Sequence, residues 1–200
     1  MTARKKTIEG PVGDAVGASF AAEEVGRWVQ EIQQQISTAN QSFAGLAGMY
    51  GANSPASLAG FYAEAYQAHT FNINAAIHNS DHLAERLGST AKDSPDVVTS
   101  WGEKYSLKYH KDAIHTLAHQ AGGDGPVAGL HGQTRLVPGD QLDLARKIAE
   151  AKIDKSLSAA PDRASRYQET HDHLADRVQA PDGTSSKPLT KGSRSIYLTY

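Results

Sequence analysis

The stretch PDVVTSWGEKYSLKY, residues 95–109, decides the predicted fold. It opens with a β-branched run and turns at Ser100-Trp101-Gly102. It then alternates, so that Tyr105, Leu107 and Tyr109 share one face and the lysines lie on the other. Apolar–polar alternation is typical of a half-buried strand, and two such runs around a short turn predict a β-hairpin. The stretch is the one clear strand signal in the chain.

Helical patterns lie on both sides of this hairpin. Apolar side chains recur there at three- and four-residue steps, which predicts amphipathic helices. Ser54 and Pro55 suit the start of one of them, as N-cap and first-turn residue. The predicted helices span residues 20–47, 56–74, 80–87, 111–120, 140–156 and 162–178. The predicted fold class is therefore α+β, dominated by helices, with a small central hairpin or sheet flanked by them.

The chain divides into five predicted segments. Small and polar residues at both ends lack periodicity, which favours a flexible arm and a tail. Between them, the segment that holds the hairpin is the predicted catalytic core. The segments are an N-terminal arm (1–19), a helix and turn (20–55), a central core (56–125), a C-terminal helical region (126–180) and a tail (181–200).

Composition narrows the classes of function. The chain has no Cys, which excludes disulfides, thiolate catalysis and Cys-ligated metal centres. Its formal net charge is −2, so a nucleic-acid partner would need a local basic patch. No apolar run approaches the roughly 20 residues that span a bilayer, so we expect a cytoplasmic protein with no membrane partner.

Glu64, Asp96 and Lys108 form the first candidate site. Glu64 borders the buried stripe of its helix, where a carboxylate suffers desolvation unless a cation pairs with it. Asp96 opens the first strand of the hairpin, and Lys108 lies near the end of the second. Two carboxylates can hold Mg²⁺, or Mn²⁺, which polarises a phosphate and lowers the pKa of bound water. A neighbouring Lys can stabilise the charge that develops.

The order of these residues resembles the PD-(D/E)xK nuclease superfamily over about residues 57–120. Members often carry a helix Glu, then Pro-Asp on one strand, then an acid-x-Lys tripeptide on the next. Here Pro95-Asp96 corresponds to the first strand motif and Ser106-Leu107-Lys108 to the second. The resemblance implies a metal-dependent nuclease, with Asp96, Lys108 and Glu64 as catalytic residues and Asp96 and Glu64 as metal ligands.

Ser106 departs from the pattern of that superfamily, because it stands where the second acid is usual. Glu103 is five residues before Lys108 and so lies on the opposite strand face. Glu85, on a predicted helix, is a further candidate metal ligand that could supply the missing charge.

Basic, aromatic and polar side chains near Lys108 are candidates for binding nucleic acid. Mixed lysines and tyrosines provide phosphate contacts and base stacking, although alternating strands also produce this pattern without a ligand. The superfamily often places a polar residue on the helix after the Lys strand, which here indicates Gln120. The candidate substrate-binding residues are Lys104, Ser106, Tyr109, Lys111 and Gln120, with His110 and His119 near the phosphate path.

Two interpretations remain open. In one, the central segment is a nuclease. In the other, the chain is a non-catalytic structural or accessory protein of a phage or mobile element. It would then self-associate through the helical regions 20–47 and 140–178, with Asp96 a turn cap and Lys108 a solvated strand residue. His115 and His119, one helical turn apart, could chelate a metal, but this spacing more often belongs to half-buried or surface histidines.

Overall fold

The computed structural model describes residues 11–52, 54–89, 91, 94–122 and 132–190. The predictions for residues 1–10, for the glycine-rich loop beyond Gly122 and for residues 191–200 lie outside this range. The helices are α1 (Pro11–Tyr50), α2 (Pro55–Ile77), α3 (Ala113–Gln120), α4 (Leu142–Ser156) and α5 (Pro161–Asp172). The strands are β1 (Ala84–Arg86), β2 (Val97–Thr99), β3 (Lys104–Leu107), β4 (Thr134–Leu136) and β5 (Leu174–Ala175).

The predicted hairpin is present as β2 and β3. The two strands pair antiparallel, with Val97 opposite Tyr105 and Val98 opposite Lys104. They are the second and third strands of a five-stranded sheet in the order β1-β2-β3-β4-β5. β1 adds antiparallel to β2, whereas β4 and β5 continue the sheet in parallel. The α+β, helix-dominated fold class is confirmed, with a mixed sheet larger than the hairpin alone.

The prediction of a helix over residues 80–87 is wrong. Asn79 takes a left-handed conformation (φ 53°) just after α2 ends, and the chain continues extended into β1. Asn72 on α2 holds this extended backbone, because its side-chain amide accepts from the Ala84 N–H and donates to the Ala84 carbonyl. Tertiary pairing therefore overrides the local helix preference.

Other element boundaries also differ from the predictions. α1 already begins at Pro11, within the region predicted as a flexible arm. α4 begins at Leu142, two residues after the predicted start at residue 140, and Gln141 is its N-cap. α5 ends at Asp172 instead of near residue 178, because the chain turns there and β5 pairs with β4. β4 and β5 have three and two residues, which is too short for alternation to reveal them.

The two faces of the sheet cover two apolar clusters. One lies between α2 and the sheet and contains Phe71, Val97, Tyr105, Leu107 and Leu136. The other lies against α3, α4 and α5 and is built from residues that include Leu117, Val137, Ala145 and Leu174. Alternation along β4 assigns Leu136 and Val137 to opposite clusters, as strand geometry requires. The sheet is thus the middle layer of the fold.

The segment after β5 is part of the first cluster. Val178 and Leu189 are buried in it, and the backbone of residues 179 and 185 forms a β-bridge. Gln67 on α2 donates to the Tyr109 hydroxyl at 3.1 Å and to the Asp176 carbonyl at 3.3 Å, and it accepts from the Ser186 hydroxyl. The prediction of a tail from residue 181 is therefore wrong for residues 181–190.

α1 packs along α2 in an antiparallel pair. Tyr50 stacks on Phe61 at one end, with ring centroids 4.2 Å apart. At the other end the Trp28 indole donates to the Ala76 carbonyl at 2.8 Å. Within the described residues, no helix is both long and apolar enough to cross a membrane.

Candidate functional site

Four charged side chains from α2 and three neighbouring strands meet at one edge of the sheet. Glu64 comes from α2, Arg86 from the end of β1, Asp96 from the residue before β2 and Lys108 from the residue after β3. Arg86 bonds to Glu64, Lys108 faces Asp96, and the charges of Asp96 and Lys108 both act on Glu64. The structure thus brings together the three residues predicted as catalytic. We call Glu64, Arg86, Asp96 and Lys108 the charged cluster.

Asp96 is fixed by backbone pairing on both sides. Its N–H donates to the Tyr105 carbonyl at 2.8 Å, and its own carbonyl accepts from the Leu87 N–H at 3.0 Å. Its carboxylate Oδ2 accepts from the Leu107 N–H at 2.6 Å and lies 3.8 Å from the Lys108 Nζ. The side chain therefore occupies a place in the β2–β3 ladder that a backbone carbonyl would otherwise fill.

Glu64 is held through a single contact with Arg86. The Arg86 Nε lies 2.9 Å from the Glu64 Oε2, and the two side chains are 16% and 14% exposed. The other Glu64 oxygen has no hydrogen bond from this guanidinium. One oxygen of Glu64 therefore remains available for another cation.

Both carboxyl groups of the charged cluster are held where their charge is disfavoured. Burial, together with the neighbouring Asp96 charge, raises the pKa of Glu64 to about 7, although Arg86 and Lys108 oppose the shift. Burial also raises the pKa of Asp96 above its ordinary value, against the opposing effects of Lys108 and the Leu107 N–H. The positive charges of Arg86 and Lys108 thus do not fully offset the cost of burying the two carboxylates. A further cation would favour their charged forms.

The donor set fits Mg²⁺ better than a softer metal. Mg²⁺ prefers oxygen ligands and is commonly held by one or two carboxylates together with waters and substrate phosphates. Glu64 and Asp96 supply two carboxylates of this kind. Among the residues that the structure describes, no three His, Asp or Glu side chains gather closely enough to hold a metal by themselves. Within the described residues, side chains alone therefore do not form a complete metal centre such as a structural zinc site.

Glu85, the further candidate ligand, does not join the charged cluster. It is exposed, and it precedes Arg86 in β1, so alternation directs the two side chains to opposite faces of the sheet. The side chain that β1 contributes to the cluster is a cation, Arg86. Sequence reasoning missed Arg86 because the segment was predicted as a helix. A strand prediction for residues 84–86 would have directed Arg86 and Glu85 to different faces.

Three of the candidate substrate-binding residues lie in the interior. Ser106 is 1% exposed and its register partner is the fully buried Arg135 on β4. Gln120 is fully buried and its amide donates to the carbonyls of Ser106 and Leu136 at 3.1 and 2.9 Å. The Tyr109 hydroxyl accepts from buried Gln67. In this conformation none of the three side chains is open to a substrate, and the Gln120 amide ties α3 to β3 and β4.

Lys104 and Lys111 are exposed, but they lie at different ends of the hairpin strand. Lys104 begins β3, opposite Val98, whereas Lys111 follows shortly after Lys108. Lys111 is therefore the nearer in sequence to the charged cluster, and Lys104 lies at the far end of the strand.

The histidines pair in ways that differ from the predicted chelate. His119 stacks on His110, with ring centroids 4.0 Å apart and planes inclined by 23°. The His115 Nδ1 lies 2.7 Å from Asp112, the N-cap of α3. The structure therefore brings His110 and His119 together and directs His115 elsewhere.

Comparison of the chain with family models, with curated proteins and with solved structures finds no match.

Proposed function

We propose that the chain is a metal-dependent nuclease that hydrolyses phosphodiester bonds at the charged cluster. The observation that supports it most is the meeting of Glu64, Asp96 and Lys108 at one sheet edge, with both carboxylates desolvated. This is the residue set for which the order along the sequence resembles the PD-(D/E)xK superfamily. Ser106, at the position of the usual second acid, is buried beside Arg135 and supplies no carboxylate.

Each side chain has a role in this proposal that follows from its position. Glu64 and Asp96 hold the cation, and Asp96 is kept rigid by the Leu107 N–H. Bound there, Mg²⁺ would polarise the phosphate and lower the pKa of a water ligand. Lys108, whose side chain is 37% exposed, reaches from Asp96 toward solvent, where it can stabilise the negative charge that develops on the phosphate.

The test compares the intact chain with Asp96→Asn and Lys108→Met, on plasmid DNA and on single-stranded RNA, with Mg²⁺, Mn²⁺ or EDTA. Asn keeps an oxygen for the Leu107 N–H, so the strand pairing should persist while the charge is lost. We expect each substitution to lower cleavage about a hundredfold or more. Asp154→Asn and Lys155→Met, which change exposed residues of α4, are the matched controls. Cleavage that survives Asp96→Asn and Lys108→Met contradicts the proposal.

A non-catalytic role in a phage or mobile-element assembly is the second candidate. The charged cluster contains two acids and two cations, so its formal charges balance without a bound ion. In addition, α1 exposes apolar side chains that include Val25, Val29, Ile36 and Met49. On this reading the chain binds no divalent cation and self-associates. Sedimentation across a concentration range, together with the absence of any Mg²⁺-dependent rise in melting temperature, would favour it.

A further inference from the structure

Arg86 uses only part of its guanidinium in the contact with Glu64. An arginine commonly meets a carboxylate through two parallel bonds, from Nε and from the Nη on the same edge. Here Nε donates to the Glu64 Oε2, whereas the Arg86 Nη2 is buried and has no hydrogen-bond partner. The guanidinium therefore keeps one donor group without an acceptor.

A buried donor without an acceptor costs free energy, and more so when the donor is charged. A bound ligand that supplies an acceptor for the Arg86 Nη2 would remove this cost. The charges around Arg86 limit the kind of acceptor that can bind there. Lys108 adds a second positive charge beside Asp96, and a metal held by the two carboxylates would add more. An anionic oxygen is the acceptor that such surroundings favour.

The surroundings of Arg86 fix where the guanidinium lies. Its central carbon is 5.4 Å from the centroid of the Phe61 ring, which supports it from α2. On another side is Gly88, where an added Cβ would lie 3.3 Å from the Arg86 Nη1. An aromatic ring and a residue without a side chain thus leave a defined space for the guanidinium, which pre-organises it for a second hydrogen bond.

The sheet order places Arg86 and Lys108 on either side of Asp96. Arg86 comes from β1, Asp96 from the start of β2 and Lys108 from the end of β3, and these are adjacent strands. We propose that Arg86 is a substrate-binding residue. Binding of substrate uncovers Nη2, which is buried in the unbound chain, so that it donates to a phosphate oxygen while Lys108 contacts the same phosphate from the other side. The proposal rests on the proposed function for the identity of the reaction, but the phosphate contact can be tested without cleavage.

The experiment measures binding of thymidine 3′,5′-bisphosphate to the full chain by calorimetry, with Ca²⁺ present and with EDTA. The variants are Arg86→Gln and Arg86→Lys, and the matched control is Arg177→Gln, since Arg177 pairs with Asp176 away from the cluster. Inorganic phosphate is titrated in parallel, to distinguish a site for a nucleotide from a site for any phosphate.

We expect Arg86→Gln to lower the bisphosphate affinity about tenfold to a hundredfold, the range for a hydrogen bond to a charged group. Arg86→Lys keeps the positive charge beside Glu64 but loses the second donor, so it should retain its melting temperature and lose affinity several-fold. Arg177→Gln should leave the affinity unchanged. Should Arg86→Gln not fold, the comparison of Arg86→Lys with the unmodified chain decides the question.

Two results overturn the inference. One is an unmodified chain that binds neither the bisphosphate nor phosphate. The other is a folded Arg86 variant that binds as tightly as the unmodified chain. Failure of the proposed function looks different: the bisphosphate binds through Arg86, yet no nucleic acid is cleaved with any divalent cation. In that case Arg86 still marks a phosphate site, in a protein that is not a nuclease.

Discussion

Glu64 couples the folding of the chain to pH, because the fold holds its carboxyl group where the charged form is disfavoured. Its pKa is about 7 in the folded protein, against an ordinary value of 4.5. A raised pKa of this kind means that the native state binds the proton more tightly than the unfolded state. The stability associated with protonated Glu64 is therefore fully present below the ordinary pKa and is lost as the pH rises toward 7.

Glu64→Gln should remove this pH dependence. Gln resembles the protonated acid and can still accept from the Arg86 Nε, so the variant should match the unmodified chain near pH 4 and exceed it at pH 8. The gain at pH 8 should be on the order of 1–3 kcal/mol in the free energy of unfolding. Urea denaturation of both proteins at several pH values measures it. A difference that stays constant from pH 4 to pH 8 contradicts the raised pKa.

The same substitution tests the metal site through stability alone. Mg²⁺ at concentrations well above its Kd should raise the melting temperature of the unmodified chain at pH 8, because a ligand that binds the native state stabilises it. Neither Glu64→Gln nor Asp96→Asn should respond, since each removes one of the two carboxylates. An equal rise in all three proteins would place the ion elsewhere.

Much of the candidate site could be predicted from single residues. Asp96 and Lys108 were predicted from the alternating hairpin, and Glu64 from its place at the border of an apolar helix stripe. Arg86 could not be predicted, because its position in the cluster depends on the pairing of β1 with β2, and the sequence around Arg86 has no strand pattern. The burial of Ser106 and Gln120 also escaped prediction, since it depends on the parallel strand β4 and on α3 packing over β3.

At the scale of elements, β1 depends on α2 through one amide side chain. Asn72 bonds both backbone groups of Ala84, at 2.8 and 2.9 Å. Asn72→Ala should leave a buried N–H and carbonyl without partners and destabilise the chain by about 1–3 kcal/mol. Asn72→Asp should also destabilise the chain, because it keeps the acceptor for the N–H but sets a carboxylate oxygen against the Ala84 carbonyl. Chemical denaturation measures both, with Asn40→Ala on the exposed side of α1 as the control.

Gly88, the second residue after β1, lies beside the Arg86 guanidinium of the charged cluster. Gly88 has a φ of 62°, a conformation that costs other residues about 1–2 kcal/mol. Gly88→Ala should therefore lower stability and also press its Cβ against the Arg86 guanidinium. Gly102→Ala, at a φ of 91° in the hairpin turn with open space around it, is the matched control. We expect only Gly88→Ala to weaken binding of thymidine 3′,5′-bisphosphate, whereas both lower the melting temperature.

The elements that were predicted correctly are those with long or strongly alternating patterns. α2 and the β2–β3 hairpin have such patterns, and each was placed within a few residues. β1, β4 and β5 have three residues or fewer, so neighbouring strands, rather than their own sequences, determine that they are extended. The same pairing explains why α5 ends early.

At the scale of the whole molecule, residues 178–189 are part of a core whose other residues lie much earlier in the sequence. Leu189 is 3% exposed in the cluster between α2 and the sheet. Leu189→Ala should therefore destabilise the chain by about 2–4 kcal/mol. Leu157→Ala, at a side chain 67% exposed, should change stability little. Equal denaturation midpoints for the two variants would mean that this segment is not part of the cooperative unit.

Gln67 has a consequence for the order in which the molecule can form. Its partners Tyr109, Asp176 and Ser186 are 42, 109 and 119 residues away along the chain. During synthesis on the ribosome, the Gln67 amide lacks its Ser186 partner until residue 186 has emerged. The four charged groups at the sheet edge are all made long before that point. A nascent chain would thus contain all four residues of the charged cluster before residues 178–189, which complete the core around α2, have been made.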